Sequence, residues 1–411
     1  MSESLIEATV DITSGAPPPL AGVLVLELGQ IYCGPYCGFL LARLGAEVIK
    51  IEPPSGELTR HRTQPGVEPI ALTLLNTNKS GIRLNLKTAA GRDILCRLAA
   101  QADVLIENFA PGVMDRLGVG YDVLREVNPH LVYASATGFG QCGPYSHLGA
   151  MDLTVQAMTG VMASNGFPDT PPVKAGVAVA DFAGGTHLAL AVVAALFQRN
   201  LTDAGQRVDV SMQDALLPYL TSNISGYLTN GDSHPARTGN RHGSLSVSPY
   251  NVYPTSDGFV AILCAADRHW ARLCEVMERP DLGADENLAA MTDRAARSNE
   301  IDEIVGAWTI SRPRPVILSA LMEAGIPVAP VLTVPEVLED VHLLERKMIQ
   351  TLEHPTLGKI RAFGSPIQFS ASPAVQPTPS PLLGEHSGQV LERFLGFDPA
   401  EIERLRAEGV L

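Results

Sequence analysis

The sequence predicts an α/β protein with a parallel sheet, and three observations carry that prediction. Short runs rich in Val, Leu and Ile alternate with amphipathic helical stretches through residues 20–140, the pattern of successive βαβ units. A Gly-, Ser-, Asn-, His- and Arg-rich stretch at 229–249 divides this region from a second one that contains a hairpin signal. The 411 residues exceed one ordinary domain, and 45% hydrophobic against 18% charged residues suffices for a large core.

Taken in order, residues 23–28 form an apolar run short enough for a buried strand. Residues 34–45 carry Phe39, Leu40, Leu41 and Leu44 on one helical side and stop at Gly45. Residues 47–52 read as the second strand. An amphipathic helix at 88–102 precedes a strand at 104–107, which runs into Asn108-Phe109-Ala110-Pro111-Gly112. Short helices at 113–117 and 121–127 lead to a strand at 131–136. A helix at 186–199, a strand at 206–210 and a helix at 212–228 extend the layer. Beyond the linker, residues 252–264 broken at Asp257-Gly258 predict a hairpin. Helices near 269–278, 298–308 and 313–324 and a strand at 328–332 follow. A helix at 335–347, a hairpin around 355–358, a Pro-rich strap at 372–382 and helices at 388–395 and 399–408 close the chain. The expected layout is a large Rossmann-like domain (1–225), a smaller α+β domain (226–330), and a return segment (331–411) that completes the large domain.

Net charge is −14, which argues against a nucleic-acid surface but leaves room for a local basic pocket. Six cysteines include Cys33 and Cys37 in a C-x3-C spacing with no second ligand pair behind it, so no metal site is expected. Free thiols suit a reducing compartment. Residues 1–12 are acidic with no basic leader pattern, and the apolar run at 188–197 is too short to cross a bilayer. A cytoplasmic protein with no membrane partner is expected.

On a doubly wound sheet, ligands sit at the carboxyl ends of the strands, here the turns after residues 28, 52, 107 and 136. None contains G-x-G-x-x-G, and no G-x-x-x-x-G-K-[ST] occurs, so dinucleotide and P-loop chemistry lose their main support. Residues 75–79 and 83–87 gather amides and cations. Backbone N–H groups at Asn108 and Phe109 could face a pyrophosphate, and Phe109 could cover an adenine; ordinary loop and core roles fit these residues as well. The stretch Val177-Ala178-Val179-Ala180-Asp181-Phe182-Ala183-Gly184-Gly185 sets one carboxylate before a long apolar helix. By itself it reads as a helix N-cap.

Several further stretches occur in order: Leu41-Ala42-Arg43-Leu44-Gly45-Ala46-Glu47-Val48-Ile49-Lys50-Ile51-Glu52, Leu75-Asn76-Thr77-Asn78-Lys79, and Asp103-Val104-Leu105-Ile106-Glu107-Asn108-Phe109-Ala110-Pro111-Gly112. Thr137-Gly138-Phe139-Gly140-Gln141-Cys142-Gly143-Pro144-Tyr145, Ala180-Asp181 and Gly205-Gln206-Arg207-Val208-Asp209-Val210-Ser211 follow. Near the end stand Gly325-Ile326-Pro327-Val328-Ala329-Pro330-Val331, His354-Pro355-Thr356-Leu357-Gly358 and Leu382-Leu383-Gly384-Glu385-His386. With them the chain, from about residue 20 on, resembles the family III CoA-transferases, a group that includes formyl-CoA and carnitine CoA-transferases and α-methylacyl-CoA racemases.

The resemblance implies a two-domain subunit interlaced with a second copy in a homodimer. It implies an acyl-CoA and a carboxylic acid as substrates, with the coenzyme A thioester as substrate and no permanently bound cofactor. Asp181 falls on the family nucleophile, and a carboxylate at a helix start can cap as well as react. An Asp is expected to be ionised at neutral pH without a base, its free pKa being about 3.9. Coenzyme A contacts carry over to Tyr32, Cys33, Leu84, Asn85, Lys87, Asn108, Phe109 and Arg116, with Met151 and Asp152 lining the channel. Asp152 is expected to cap a helix at 153–162. Gly184 and Gly185, or another glycine loop, would donate N–H groups to an oxyanion.

One departure is Pro53, where many members have a basic residue; Lys79, Arg60 or Arg62 would have to replace that cation. Arg241 and His242 would hold a second carboxylate of a dicarboxylic acceptor, or are linker charges. His187 is expected to be a packed or channel histidine rather than a ligand. The racemases are the nearest alternative. They pair the Asp with a His about thirty residues earlier, but this chain has Met151, which carries no proton. A non-catalytic acyl-CoA-binding protein is the third reading.

Overall fold

A computed structural model describes residues 15–64 and 67–411. The acidic N-terminal stretch, 1–12, lies outside the described residues. Two compact units emerge. The first comprises the described residues through Val155 together with Ala178–Leu216 and Leu338–Leu411; the second comprises Gln156–Val177 and Leu217–Val337. The chain thus crosses at 155/156, 177/178, 216/217 and 337/338; the last two stand against the expected 225/226 and 330/331, and the excursion of 156–177 into the second unit was not expected.

The first unit is built on six parallel strands: β1 (Leu24–Glu27), β2 (Glu47–Glu52), β3 (Lys79–Arg83), β4 (Val104–Glu107), β5 (Val132–Thr137) and β6 (Arg207–Ser211). Their order is β3-β2-β1-β4-β5-β6, with Val25 opposite both Val48 and Val104. β1 and β4 are buried at every position, three apolar residues each and a terminal glutamate, as strands covered on both faces must be. In sequence, β3 reads as a polar segment. Lys79 and Arg83 mask its strand character, but Lys79 is buried and paired inside the sheet layer. The outer edge of β3 is closed by the C-terminal segment: Gly81 N–H donates to His386 Nδ1, and Arg83 N–H to Ser387 Oγ.

Four helices of this unit matter below: α1 (Cys33–Arg43), α2 (Ala89–Ala99), α3 (Asp152–Thr159, which ends in the second unit) and α4 (Val179–Thr202). α2 and the helices Ser387–Leu395 and Pro399–Ala407 close one face of the sheet over Leu26, Ile49, Ile82 and Leu105. α1 and α4 pack together. The apolar run at 188–197 is the middle of the 24-residue α4, which by length and composition could cross a membrane. Half of its most apolar window is buried within the protein, as in a core helix.

Two helices expected as continuous are broken. Residues 212–228 divide into Met212–Leu216, a 3-10 turn Leu217–Leu220, and Thr221–Asn230, because Pro218 lacks the N–H that would continue the ladder. Residues 335–347 divide into Val334–Leu338 and Val341–Glu345, the second started by the Asp340 carboxylate accepting from Leu343 N–H. The hairpin in the tail joins Ile349–His354 to Gly358–Phe363.

The second unit holds a three-stranded antiparallel sheet of β7 (Tyr250–Thr255), β8 (Gly258–Leu263) and β9 (Val328–Pro330). Thr255 pairs with Gly258, so the hairpin turns on Ser256-Asp257, one residue before the predicted Asp-Gly. Its core joins Tyr253, Val260 and Ile262 to Trp270, Leu273, Ile301, Val305 and Ile317.

Candidate functional site

The strand order reverses between β1 and β4, and the crevice of a doubly wound sheet opens at such a reversal. The turns after these two strands are clipped together. Asn108 Oδ1 accepts from Gln30 N–H at 2.7 Å, and Asn108 Nδ2 donates to Gln30 O at 3.0 Å. Below Asn108, Glu107 Oε2 accepts from Phe109 N–H at 2.8 Å and Oε1 accepts from Ser135 Oγ at 2.5 Å. Burial pushes the Glu107 carboxyl up to about 7.

The first turn rests on buried charges. Lys50 Nζ reaches Glu27 Oε1 at 3.2 Å and donates to Gly29 O at 2.8 Å. Lys79 Nζ lies 2.5 Å from Glu27 Oε2 and donates to Pro35 O at 2.8 Å. One carboxylate thus ties two ammonium groups to the backbone entering α1. The turn itself is tight, since a Cβ on Gly29 would come 2.8 Å from Gly34 C.

Asp181 is not the cap of its helix. α4 starts at Val179, ahead of the expected 186, and its N-cap residue Ala178 makes no side-chain cap bond. The capping group is Asp152, whose Oδ1 accepts from Ala180 N–H at 2.8 Å and from Asp181 N–H at 3.4 Å. Asp152 was expected to cap a helix at 153–162. It is instead the first residue of α3, and its carboxylate serves α4.

Asp181 itself is only 9% exposed. Burial pushes its carboxyl up to about 7, with Asp152 adding to the rise; the Arg62 charge and the Cys33 backbone N–H draw it back. The expectation of a fully ionised carboxylate therefore fails for the free site, because burial outweighs the N–H group at the start of α1.

Two cavities flank the clip. One, of about 210 Å³, is lined by Asp181, Asn108, Phe109, Met151, Gln30, Thr137 and Gly138, among others. The second, of about 360 Å³, is lined by Leu84, Asn85, Lys87, Phe109, Gln30 and Pro53, among others. Gln30 and Phe109 belong to both walls. The structure thus brings seven of the eleven expected site residues to one contiguous region.

The other four stand apart from both cavity walls. Tyr32 stacks on Phe182, with ring centroids 6.0 Å apart. Cys33 is buried, and its thiol is pushed up by burial and by Asp181. Arg116 is exposed at the end of a short helix, Val113–Arg116, whose Met114 is buried. Asp152 acts from behind, through the backbone of α4. Asn85, though in a wall, gives its side-chain N–H to Gly409 O.

The cations expected to replace a base at Pro53 are mostly engaged. Arg60 forms two 2.7 Å bonds to Glu52 and pairs with Glu68 at 2.9 Å, and Lys79 is bound to Glu27. Arg62 is exposed and acts electrostatically on Asp181. Gly184 and Gly185 cannot serve as oxyanion donors. They lie inside α4, where backbone N–H groups belong to the helix ladder. Their role is close packing, since a Cβ on Gly185 would lie 2.6 Å from Cys33 O and one on Gly184 2.9 Å from Met212 Cγ.

In the second unit, Arg241 is anchored to Asp302 at 2.7 Å, which also accepts from Asn251 and Tyr253. His242 bonds Ser244 Oγ at 2.8 Å. Both are thus local clamps in this structure. His187 is exposed on α4 rather than packed, and its Nδ1 bonds the Ala183 carbonyl one turn back. Among the described residues no three His, Cys, Asp or Glu side chains gather as metal ligands.

Gln30 and Thr137 line the site without having been expected there. Thr137 ends β5, is 5% exposed, and its buried Oγ1 has no hydrogen-bond partner, although it borders the Asp181 cavity. The stretch that begins Thr137-Gly138-Phe139-Gly140 had marked the loop without giving the hydroxyl a role. Gly138 must be glycine because any Cβ there would collide with Ala150.

Residues 20–387 match the model of CoA-transferase family III. The chain is 36% identical over 408 residues to a formyl-CoA:oxalate CoA-transferase of Streptomyces coelicolor, covering 95% of this chain and 99% of that one. It is 35% identical over 407 residues to a succinyl-CoA–D-citramalate CoA-transferase of Chloroflexus aurantiacus, covering 97% and 100%. Over 396 residues it is 34% identical to a succinyl-CoA:glutarate CoA-transferase of Mus musculus, covering 96% and 90%. A crystal structure of a CAIB/BAIF family protein from Brucella suis superposes with a TM-score of 0.81 at 34% identity, covering 92% and 100%.

Proposed function

Because this chain belongs to CoA-transferase family III, we propose that it moves coenzyme A from an acyl-CoA to a free carboxylic acid through covalent intermediates on Asp181. The observation that supports this reading most is the placement of a buried, single carboxylate in the smaller of two adjoining cavities at the sheet's switch point. The larger cavity, with exposed Lys87 on its rim and Phe109 on its wall, takes the coenzyme A nucleotide in this reading.

The Asp181 carboxylate attacks the thioester carbonyl of the donor, the C–S bond breaks, and a mixed anhydride and free CoA thiolate form. The thiolate attacks the aspartyl carbonyl of the anhydride. This expels the donor acid and leaves an aspartyl-CoA thioester. The acceptor carboxylate attacks that thioester and frees the thiolate again. Its attack on the acceptor's side of the new anhydride gives the product acyl-CoA and restores Asp181. Each step exchanges one acyl bond for another, so water need not enter, and both acyl intermediates require its exclusion.

Each carbonyl attack puts negative charge on an oxygen, which needs a donor in a dry site. The unpartnered Thr137 hydroxyl is our candidate. Thr137→Val is expected to lower kcat about tenfold with little change in KM, the signature of an interaction made in the transition state. Equal losses in binding and turnover, or none, would reject this assignment. Lys87→Ala is expected to raise the acyl-CoA KM about tenfold at nearly constant kcat, by loss of one exposed charge-assisted contact. Steady-state kinetics with a fixed acceptor checks both.

The relatives' names pair formyl-CoA with oxalate and succinyl-CoA with glutarate or D-citramalate. They support a small dicarboxylate acceptor here. We also read the protein as a homodimer. Leu190, Phe197 and Leu201 are each more than 60% exposed on α4, a spacing that places large apolar groups along one side of the helix. Equilibrium sedimentation tests that.

A further inference from the structure

The first N–H groups of a helix have no partner inside it and favour a negative charge. In α4 that position is contested by two carboxylates. Asp181 is the third residue of the helix, and Asp152 reaches in from the start of α3 to take the N–H groups of Ala180 and Asp181. A neutral amide or hydroxyl would satisfy these donors equally well, since Asn and Ser are good N-caps. The presence of a charge therefore has a consequence that capping does not explain: it sets a second negative group beside the reactive one.

We propose that Asp152 is a positioning residue that fixes the backbone of Asp181 at the helix start and opposes its ionisation, keeping the reactive carboxylate basic. This rests on the reading of Asp181 as the nucleophile. A basic carboxylate is the stronger nucleophile toward a thioester and also the poorer leaving group, so the acyl intermediates on it are less readily lost before transfer.

Among the described residues, three groups act on the Asp181 carboxyl beside burial. Asp152 raises it; Arg62 and the Cys33 N–H from the start of α1 lower it. The Cys33 thiol is held neutral by burial and by Asp181, and Tyr36, also from α1, hydrogen-bonds Thr186 one turn farther along α4. Among these, Asp152 is the charged group that accepts from the Asp181 backbone N–H as well as from that of Ala180.

The test compares Asp152→Asn and Asp152→Ser, both neutral caps, with the parent enzyme and with Asp181→Ala. For each, kcat/KM for one acyl-CoA and acceptor pair is followed across about pH 5 to 9. With the negative charge gone, the acidic limb of both cap variants is expected to move down by about one pH unit, the usual scale for a like charge at close range. A purely structural cap would change the height of the profile and the melting temperature but leave the limb where it was. If the limb of either folded variant coincides with the parent's while Asp181→Ala is inactive, the role of Asp152 is refuted and the nucleophile stands. If Asp181→Ala turns over, the nucleophile reading falls, and this inference with it.

Discussion

Asp181→Ala is expected to abolish CoA transfer, lowering kcat by at least about four orders of magnitude, because it removes the atom to which every intermediate is bound. The cavity beside it keeps its other walls, so acyl-CoA binding should change little. Asp181→Asn should be equally inactive and yet more stable than the parent at alkaline pH. The sign follows from the raised pKa. In the folded state the carboxyl holds its proton up to about pH 7, whereas in the unfolded chain it releases it near 3.8. Between those values the folded state binds more protons, so stability falls as pH rises and the full cost is present above about 7. At about 1.4 kcal/mol per unit, removing the charge recovers roughly 2–4 kcal/mol at pH 8. The difference in stability between the Asp181→Asn variant and the parent should vanish near pH 4. Urea denaturation at both pH values measures this; an equal midpoint at pH 8 would show that Asp181 is not held in a desolvated site.

The second large effect concerns stability. Glu27 is fully buried and carries both Lys50 and Lys79, also buried. Glu27→Ala leaves two ammonium groups without their carboxylate, and removing one partner of a buried pair costs about 3–5 kcal/mol. The midpoint of urea unfolding should drop sharply with the slope unchanged. Any folded fraction should also turn over poorly, since Lys50 and Lys79 would no longer hold the carbonyls of Gly29 and Pro35 around the first turn. A stability within about 1 kcal/mol of the parent would show that the lysines find other partners.

Much of the sheet was legible because the strands β1, β2, β4, β5 and β6 are short Val-, Leu-, Ile- and Ala-rich runs between helical stretches. β3 was not, because its charged residues conceal a buried strand whose lysine is neutralised from β1. The turns after residues 28 and 107 were two of four candidate ligand turns; that these two meet at the reversal of strand order was not legible, because strand order depends on pairing between distant residues. Nor was the clip between Asn108 and Gln30, since it joins residues 78 positions apart. Asp181 stood out by its setting, but its state did not. A free-solution pKa says nothing of burial or of a second carboxylate 29 residues earlier. The glycines after Asp181 were visible, but their purpose required the approach of α1 to α4. Thr137 carries no signal in sequence, because an unpartnered hydroxyl is a property of its surroundings.

The measurement that tests the central claim most directly is the intact mass of the protein after mixing with formyl-CoA, oxalyl-CoA, succinyl-CoA or acetyl-CoA, each with and without hydroxylamine. The account predicts a CoA-sized adduct with at least one donor, mapped to the peptide that contains Asp181 and removed by hydroxylamine. No adduct with any donor, together with deuterium exchange at the carbon next to the thioester, would contradict it and turn the reaction into proton transfer.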